Sequence, residues 1–194
     1  MTLSIIIVNY KSLPLLKLCL KSIREHISGE NLTHEIFVVD SEAQPETEPV
    51  LLESFPEIKY LPFQKNIGYA AGVNCGIKNS AGQYLLILNP DIVITKDAVS
   101  RMIEYLKSHP EIGMIGPRLL GFNGEIQNSR FSFYRPHTIV YRRTFLGLLP
   151  SGKKELARFH LINNNPILIK CINSKSIADF IRPFFSDIQA VKCR

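Results

Sequence analysis

The sequence predicts an α/β fold, a mostly parallel sheet with helices on both faces. Two observations predict it. Short apolar runs of strand length alternate with helical patterns from Leu3 to Ile115. Four successive runs also lead into polar residues: Asn9, Asp40, Asn66 with Gly68, and Asn89 with Asp91. A carboxylate at the carboxyl end of a buried strand has little packing value, and that edge is where open α/β sheets bind ligands.

Residues 3–9 form the first β-branched run, ended by Asn9-Tyr10. A helical pattern follows, with Leu16, Cys19, Leu20, Ile23 and Ile27 on one face and Lys17, Lys21 and Arg24 pointing away. Ser12 is the expected N-cap, Pro14 is tolerated in the first turn, and Gly29 is expected to stop the helix. Ile36-Phe37-Val38-Val39 is a second buried strand ending at Asp40. Residues 41–49 are polar and proline-bearing, a loop or short helix, and 51–55 complete the crossover. Ile58-Lys59-Tyr60-Leu61 reads as a third, shorter strand, leading to Asn66-Ile67-Gly68. Residues 69–78 are rich in small side chains, which predicts a helix lying very close on the sheet, although its glycines lower the local propensity. Ala81-Gly82 turns the chain into a strand over 83–88. Thr95 is expected to cap a helix reaching His109, with Val99, Met102, Ile103 and Leu106 inward, before a short strand over 112–115. Such an alternation calls for right-handed crossovers.

Beyond about Gly121 the periodicity fades. Asn123-Gly124 is a turn, 127–143 is polar, aromatic and Arg-rich, and the stretch after Asn163 fits no coherent core. The chain has 194 residues, enough for one domain with a real core plus an appendage. Cys19, Cys75, Cys171 and Cys193 are scattered without a C-x-x-C pair, so free buried thiols are expected rather than a zinc site or a disulfide framework. No HExxH and no Walker A occurs, and no GxGxxG follows the first strand, which counts against a dinucleotide-binding oxidoreductase. No apolar run approaches the roughly 20 residues of a membrane span, and no leader pattern opens the chain, so an intracellular, cytoplasmic setting is expected. The net charge of +6 is unevenly spread. Residues 1–125 carry 11 Lys/Arg against 14 Asp/Glu, whereas 126–194 carry 12 against only Glu155, Asp179 and Asp187. That basic excess suits anionic lipid headgroups, phosphorylated substrates or nucleic acid.

At the carboxyl ends of neighbouring parallel strands, the polar residues would face one crevice. Asp40 would supply an acceptor for a base N–H or a ribose hydroxyl. Gly68 and the helix start after it would allow close backbone approach to phosphates. Asp91 would hold a divalent cation against a diphosphate. Each has a plainer reading, because an Asp after a strand is often a turn or cap residue and Asn-x-Gly is a common turn. Asn74, set in a helix among small residues, wants a hydrogen-bond partner.

The segments Ser4-Ile-Ile-Ile-Val-Asn-Tyr10, Val38-Val39-Asp40, Asn66-Ile-Gly-Tyr-Ala-Ala-Gly-Val-Asn-Cys-Gly-Ile77 and Leu86-Ile-Leu-Asn-Pro-Asp91 together resemble family 2 glycosyltransferases of the GT-A fold. The likeness is greatest to the rhamnosyltransferase-like branch that builds bacterial surface polysaccharides, in which Asn-Pro-Asp replaces the more usual Asp-x-Asp. Gly113-Met-Ile-Gly-Pro-Arg-Leu-Leu120 and Gly124-Glu-Ile-Gln-Asn-Ser-Arg130 extend it. The resemblance implies a Rossmann-like GT-A core over 1–125 and a basic, incomplete acceptor part with an irregular tail over 126–194. It implies a nucleotide-binding set of Asn9, Tyr10, Asp40, Asn66, Gly68, Asn74 and Asn89, with Asp91 ligating Mg2+ or Mn2+. It also implies a nucleotide-sugar donor such as dTDP-rhamnose and a saccharide or lipid-linked acceptor.

Two departures accompany the likeness. After Val-Val-Asp the family usually continues Asn-x-Ser-x-Asp, where this chain has Ser41-Glu42-Ala43-Gln44-Pro45. The family's later Glu-Asp pair, which carries the base, has no counterpart after Gly152, so no catalytic residue is assigned. The tail from about Asn163 reads as a frameshifted or truncated end, with an unusual short acceptor domain as the competing view. A catalytically inactive nucleotide-binding remnant is the alternative function. Arg130, Arg135, Arg142 and Arg143, interleaved with Phe131, Phe133, Tyr134 and Tyr141, admit three readings. They are a solvated face, a dock for a lipid-diphosphate acceptor on the inner face of the plasma membrane, or, ranked last, a single-stranded nucleic-acid surface.

Overall fold

The computed structural model describes residues 2–27, 32–117, 119–121, 123–125, 127 and 135–159, with the backbone of 167–170 and 189–192. In chain order the elements are β1 (Leu3–Asn9), α1 (Leu13–His26), β2 (His34–Asp40), α2 (Thr47–Ser54), β3 (Ile58–Pro62), α3 (Tyr69–Asn79), β4 (Tyr84–Leu88), α4 (Ala98–Ser108) and β5 (Ile112–Gly116). Then come α5 (Pro136–Arg143), a 3-10 helix (Phe145–Leu148), α6 (Pro150–Phe159), β6 (Ile167–Lys170) and β7 (Gln189–Lys192).

The sheet runs β3-β2-β1-β4-β7-β5-β6. β1 pairs in parallel with β2 and with β4, and β2 with β3. The chain therefore winds outward from β1 in one direction through β2 and β3, and in the other through β4. Such a reversal opens a crevice at the carboxyl ends of β1 and β4. Near the end of the chain, β7 enters antiparallel between β4 and β5.

Strand alternation splits the core in two. Leu3, Ile5, Ile7, Ile36, Val38, Leu86 and Leu88 pack with the inward faces of α1, α2 and α4. Ile6, Val8, Phe37, Val39, Leu85 and Ile87 face Val73 of α3 on the other side. Helices thus cover both faces, as the alternation of elements requires. On α1, Leu16, Cys19, Leu20, Ile23 and Ile27 are all buried, the predicted stripe. The small residues of α3 allow the predicted close approach. A Cβ on Gly72 would lie 2.8 Å from Val8 Cγ1, and one on Gly76 only 2.4 Å from Ile6 Cγ2.

The amino-terminal edge of the sheet is locked by polar bonds to the buried Glu35. Ser4 Oγ donates to Glu35 Oε1 (2.6 Å), the Ala81 N–H donates to the same oxygen (2.8 Å), and Lys59 Nζ reaches Oε2 (2.7 Å). Burial by itself would raise the Glu35 carboxyl, but the bonds from Lys59, Ser4 and Ala81 together hold it below its ordinary value.

Three local expectations are corrected. Helix α4 begins at Ala98 rather than at Thr95, whose carbonyl, not its side chain, meets the Ala98 N–H (3.2 Å). Asp97 at the N-cap is left-handed (φ 59°), so the chain turns there before the helix starts. Ser12 does stand at the N-cap of α1, but its hydroxyl donates to the Tyr10 carbonyl (3.0 Å) and caps nothing. The tail, which sequence pattern left without a place, supplies two sheet strands. Gly29 lies outside the described residues.

The chain divides into two compact units, one of residues Met1–Pro117 with Leu168–Arg194, the other of Arg118–Ile167. In the second, α5, the 3-10 helix and α6 pack together around buried Thr138, Gly147, Gly152, Glu155 and Phe159. Thr138 Oγ1 donates to Glu155 Oε1 (2.5 Å), and Arg158 Nε and Nη2 donate to both carboxylate oxygens (2.8 and 2.5 Å).

Candidate functional site

The register of β1 against β2 sets Asn9 beside Asp40, both 2% exposed. Asn9 Nδ2 donates to Asp40 Oδ1 (2.8 Å), which fixes the orientation of the amide. From β3, Tyr60 donates its hydroxyl to Asp40 Oδ2 (2.5 Å). Tyr60 pairs with Val38, two residues short of Asp40, and a diagonal neighbour at that spacing is within reach of an aromatic side chain. Burial, then the bond to Asp40 and its charge, push the phenol well above its ordinary value. Tyr60 therefore stays a donor. Asn9 Oδ1 is buried without a hydrogen-bond partner among the described residues.

The loop between β3 and α3 is tied to the end of β2. Ser41 Oγ donates to Asn66 Oδ1 (3.1 Å) and accepts the Ile67 N–H (2.9 Å), while Asn66 Oδ1 also accepts the Gly68 N–H (2.8 Å). Gly68, the N-cap residue of α3, adopts φ 76° and ψ 158°, a conformation that essentially only glycine takes. No heavy atom would lie within 4 Å of a Cβ there, so the backbone conformation, not space, demands glycine. No side chain caps α3, and the first N–H groups of a helix have no intrahelical acceptor.

Across β1, Leu88 pairs with Ile7, so Asn89 and Asp91 emerge at the same edge as Asn9. β2 and β4 both border β1, which puts their strand tips about 10 Å apart at ordinary sheet spacing. Asn89 is half-buried and Asp91 exposed. Burial and the nearby negative charge of Asp91 push the Cys19 thiol up to about 12, so Cys19 is an inert packing residue. Cys75 is also a free thiol, but half-buried rather than buried as expected, while Cys171 and Cys193 lie outside the described residues.

Tyr10 is nearly half exposed beside an ion pair that bridges the ends of β1 and β2: Lys11 Nζ lies 2.5 Å from Glu42 Oε1. Both residues are left-handed, at φ 50° and 65°. Asn74 is half-buried on α3.

Of the predicted set, the structure links Asn9 to Asp40 and Asn66 to Gly68 directly. It puts Tyr10, Asn89 and Asp91 at the same edge, and seats Asn74 in the α3 helix. Sequence reasoning missed Tyr60, Ser41 and the Lys11–Glu42 pair. Their partners lie on other strands or loops and become visible only once the register is known. Among the described residues no group of three His, Cys, Asp or Glu side chains is placed to hold a metal ion. Among the described residues Asp91 stands in no such group, and one or two carboxylates are the protein donors that Mg2+ typically takes beside substrate phosphates and water.

The description "Glycosyl transferase family 2" fits residues 4–172. This chain belongs to that family. The low-salt glycan biosynthesis hexosyltransferase Agl10 of Haloferax volcanii is 33% identical over 153 residues, covering 77% of this chain and 45% of that protein. Among solved structures, S. aureus TarS 1-349 in complex with UDP-GlcNAc superposes with a TM-score of 0.56 at 20% identity, over 69% of this chain and 39% of that one. The mannosyltransferase PcManGT of Pyrobaculum calidifontis, in complex with GDP-Man and Mn2+, gives 0.51 at 21% identity, over 58% of this chain and 34% of that one. The two structures show the shared GT-A fold. The chain spans less than half the length of each of these relatives. Among the described residues no helix is long and apolar enough to cross a membrane.

Proposed function

We propose that this chain binds a nucleoside-diphosphate sugar at the carboxyl edge of β1, β2 and β4 and transfers the sugar to a saccharide or lipid-linked acceptor. One observation carries the reading. A buried carboxylate, Asp40, is held by two donors on the same sheet edge as an uncapped helix start and the exposed Asp91. In this reading Asp40 accepts from the nucleobase or ribose. Tyr60 and Asn9 keep its carboxylate from rotating, the α3 start faces phosphate oxygens, and Asp91 with Asn89 holds the cation-bearing end. A divalent cation bound there would offset the diphosphate charge and stabilise the departing nucleoside diphosphate. The Mn2+ of the mannosyltransferase and the UDP-GlcNAc of TarS support a metal-assisted donor site of this kind. Asn89-Pro90-Asp91, the motif shared with rhamnosyltransferase-like enzymes, makes dTDP-rhamnose the first donor to try.

Titration calorimetry with UDP and dTDP, with and without Mn2+, tests it. Binding is expected to require the metal, and Asp91→Asn to weaken it by at least about tenfold, the size of loss that follows damage to a metal's surroundings. Binding indifferent to both would overturn the assignment.

A second reading is a nucleotide-binding module without transfer, and Glu155 favours it. Of the three acids after residue 125, Asp179 and Asp187 lie outside the described residues. Hydrogen bonds from Arg158 and Thr138 hold Glu155 down to about 2, far from the poise of a general base near neutral pH. Tight nucleotide binding with no donor hydrolysis and no transfer would establish this second reading.

A further inference from the structure

We propose that the 3-10 helix between α5 and α6 is a docking wedge for an anionic phospholipid bilayer. The segment Phe145-Leu-Gly-Leu-Leu149 is apolar, yet most of it faces outward: Phe145 is 79% exposed, Leu148 74% and Leu149 48%. Single exposed apolar side chains are ordinary. These are not single, because side chains three apart eclipse on a 3-10 helix and so bring Phe145 and Leu148 to one side.

The packing beneath explains why they are presented rather than buried. A Cβ on Gly147 would lie 2.3 Å from the Tyr141 carbonyl, and one on Gly152 would lie 2.4 Å from the Leu146 carbonyl. The turn is thus pressed onto α5 and α6 at Gly147, with Leu146 half-buried and Phe145, Leu148 and Leu149 left outside. The Thr144 hydroxyl fixes its start by accepting the Leu146 N–H (3.3 Å).

Charge selects the occupant. Arg142 and Arg143 precede the wedge and Lys153 and Lys154 follow it, all exposed. Over residues 135–159 there are six Lys/Arg and a single acid, Glu155, which is buried and occupied by Arg158 and Thr138. A protein partner of ordinary composition accounts for the apolar side chains but not for basic residues on both flanks. Acyl chains below anionic headgroups account for both, since one apolar insertion plus a polybasic collar is the combination that holds a peripheral protein on a bilayer. This inference concerns the second compact unit alone and does not depend on the transferase reading.

The full chain contains no tryptophan, so Leu148→Trp installs a single reporter. With phosphatidylcholine vesicles containing phosphatidylglycerol, its emission is expected to shift to the blue and the protein to float with the vesicles. With phosphatidylcholine alone neither should happen. Phe145→Ser with Leu148→Ser should abolish flotation while the circular dichroism stays unchanged, since both side chains are exposed. Lys153→Gln with Lys154→Gln should weaken binding about thirtyfold. Undiminished flotation of the serine variant would overturn the proposal. So would a blue shift that grows with protein concentration in the absence of lipid, the sign of a second copy, or retention on single-stranded nucleic acid in preference to the vesicles. Nucleotide titration of the same serine variant reads the donor site separately, so either conclusion can fail without the other.

Discussion

Asp40 carries a charge at a position 2% exposed, so the protein must supply what water no longer does. It does so with one donor on each side, Asn9 from β1 and Tyr60 from β3. The two donors differ in how replaceable they are. Asn9 is buried, whereas Tyr60 is half-buried and water can approach the oxygen it leaves. A hydrogen bond to a charged group contributes about 1.5–3 kcal/mol. Tyr60→Phe should therefore cost stability near the lower end, about 1.5 kcal/mol. Urea denaturation checks this as a lower midpoint with an unchanged slope. A neutral substitution would mean that the carboxylate does not depend on Tyr60.

Helix α3 sets propensity against packing. On an isolated helix, Gly→Ala gains about 1 kcal/mol. At Gly76 the new methyl would sit 2.4 Å from Ile6 Cγ2, a branched side chain that is itself fully buried and has nowhere to go. Overpacking of that kind costs about 1–3 kcal/mol, so packing wins and Gly76→Ala should destabilise the protein. Pairing it with Ile6→Ala distinguishes this cause from others. If the clash is the reason, the double variant is more stable than the sum of the single losses predicts, by an interaction energy readable in a double-mutant cycle. Strict additivity would place the loss elsewhere. The same closeness brings the start of α3 to the sheet edge that carries Asn9 and Asp40.

At the scale of the whole molecule, the parts legible in sequence are those written in local pattern. Apolar runs with polar tips at Asn9, Asp40 and Asn89 announced the strands and the edge, and the stripe on α1 matched residue for residue. What was not legible depends on pairing between distant segments. Tyr60 meets Asp40 because of the β2–β3 register, and Ser41 meets Asn66 across a crossover. Gln189-Ala-Val-Lys192 carries too little apolar pattern to declare itself a strand, and its place between β4 and β5 is decided by backbone pairing. Stability at this scale also has a common feature, because each compact unit contains a buried, bonded carboxylate, Glu35 in one and Glu155 in the other. Both are held below the ordinary value of 4.5, Glu155 down to about 2 through Arg158 and Thr138. A carboxyl depressed by folding contributes stability that is fully present above its unfolded value and is lost as pH falls through its folded one. The protein should therefore hold a constant urea midpoint from neutral pH down to about pH 5 and lose it progressively towards about pH 2. Glu155→Gln should be less stable than the parent at neutral pH and should show a shallower acid loss, because the proton that breaks the Arg158 bond has no carboxylate to bind. An acid profile identical to the parent's would show that the Glu155 cluster does not contribute to the stability of its unit.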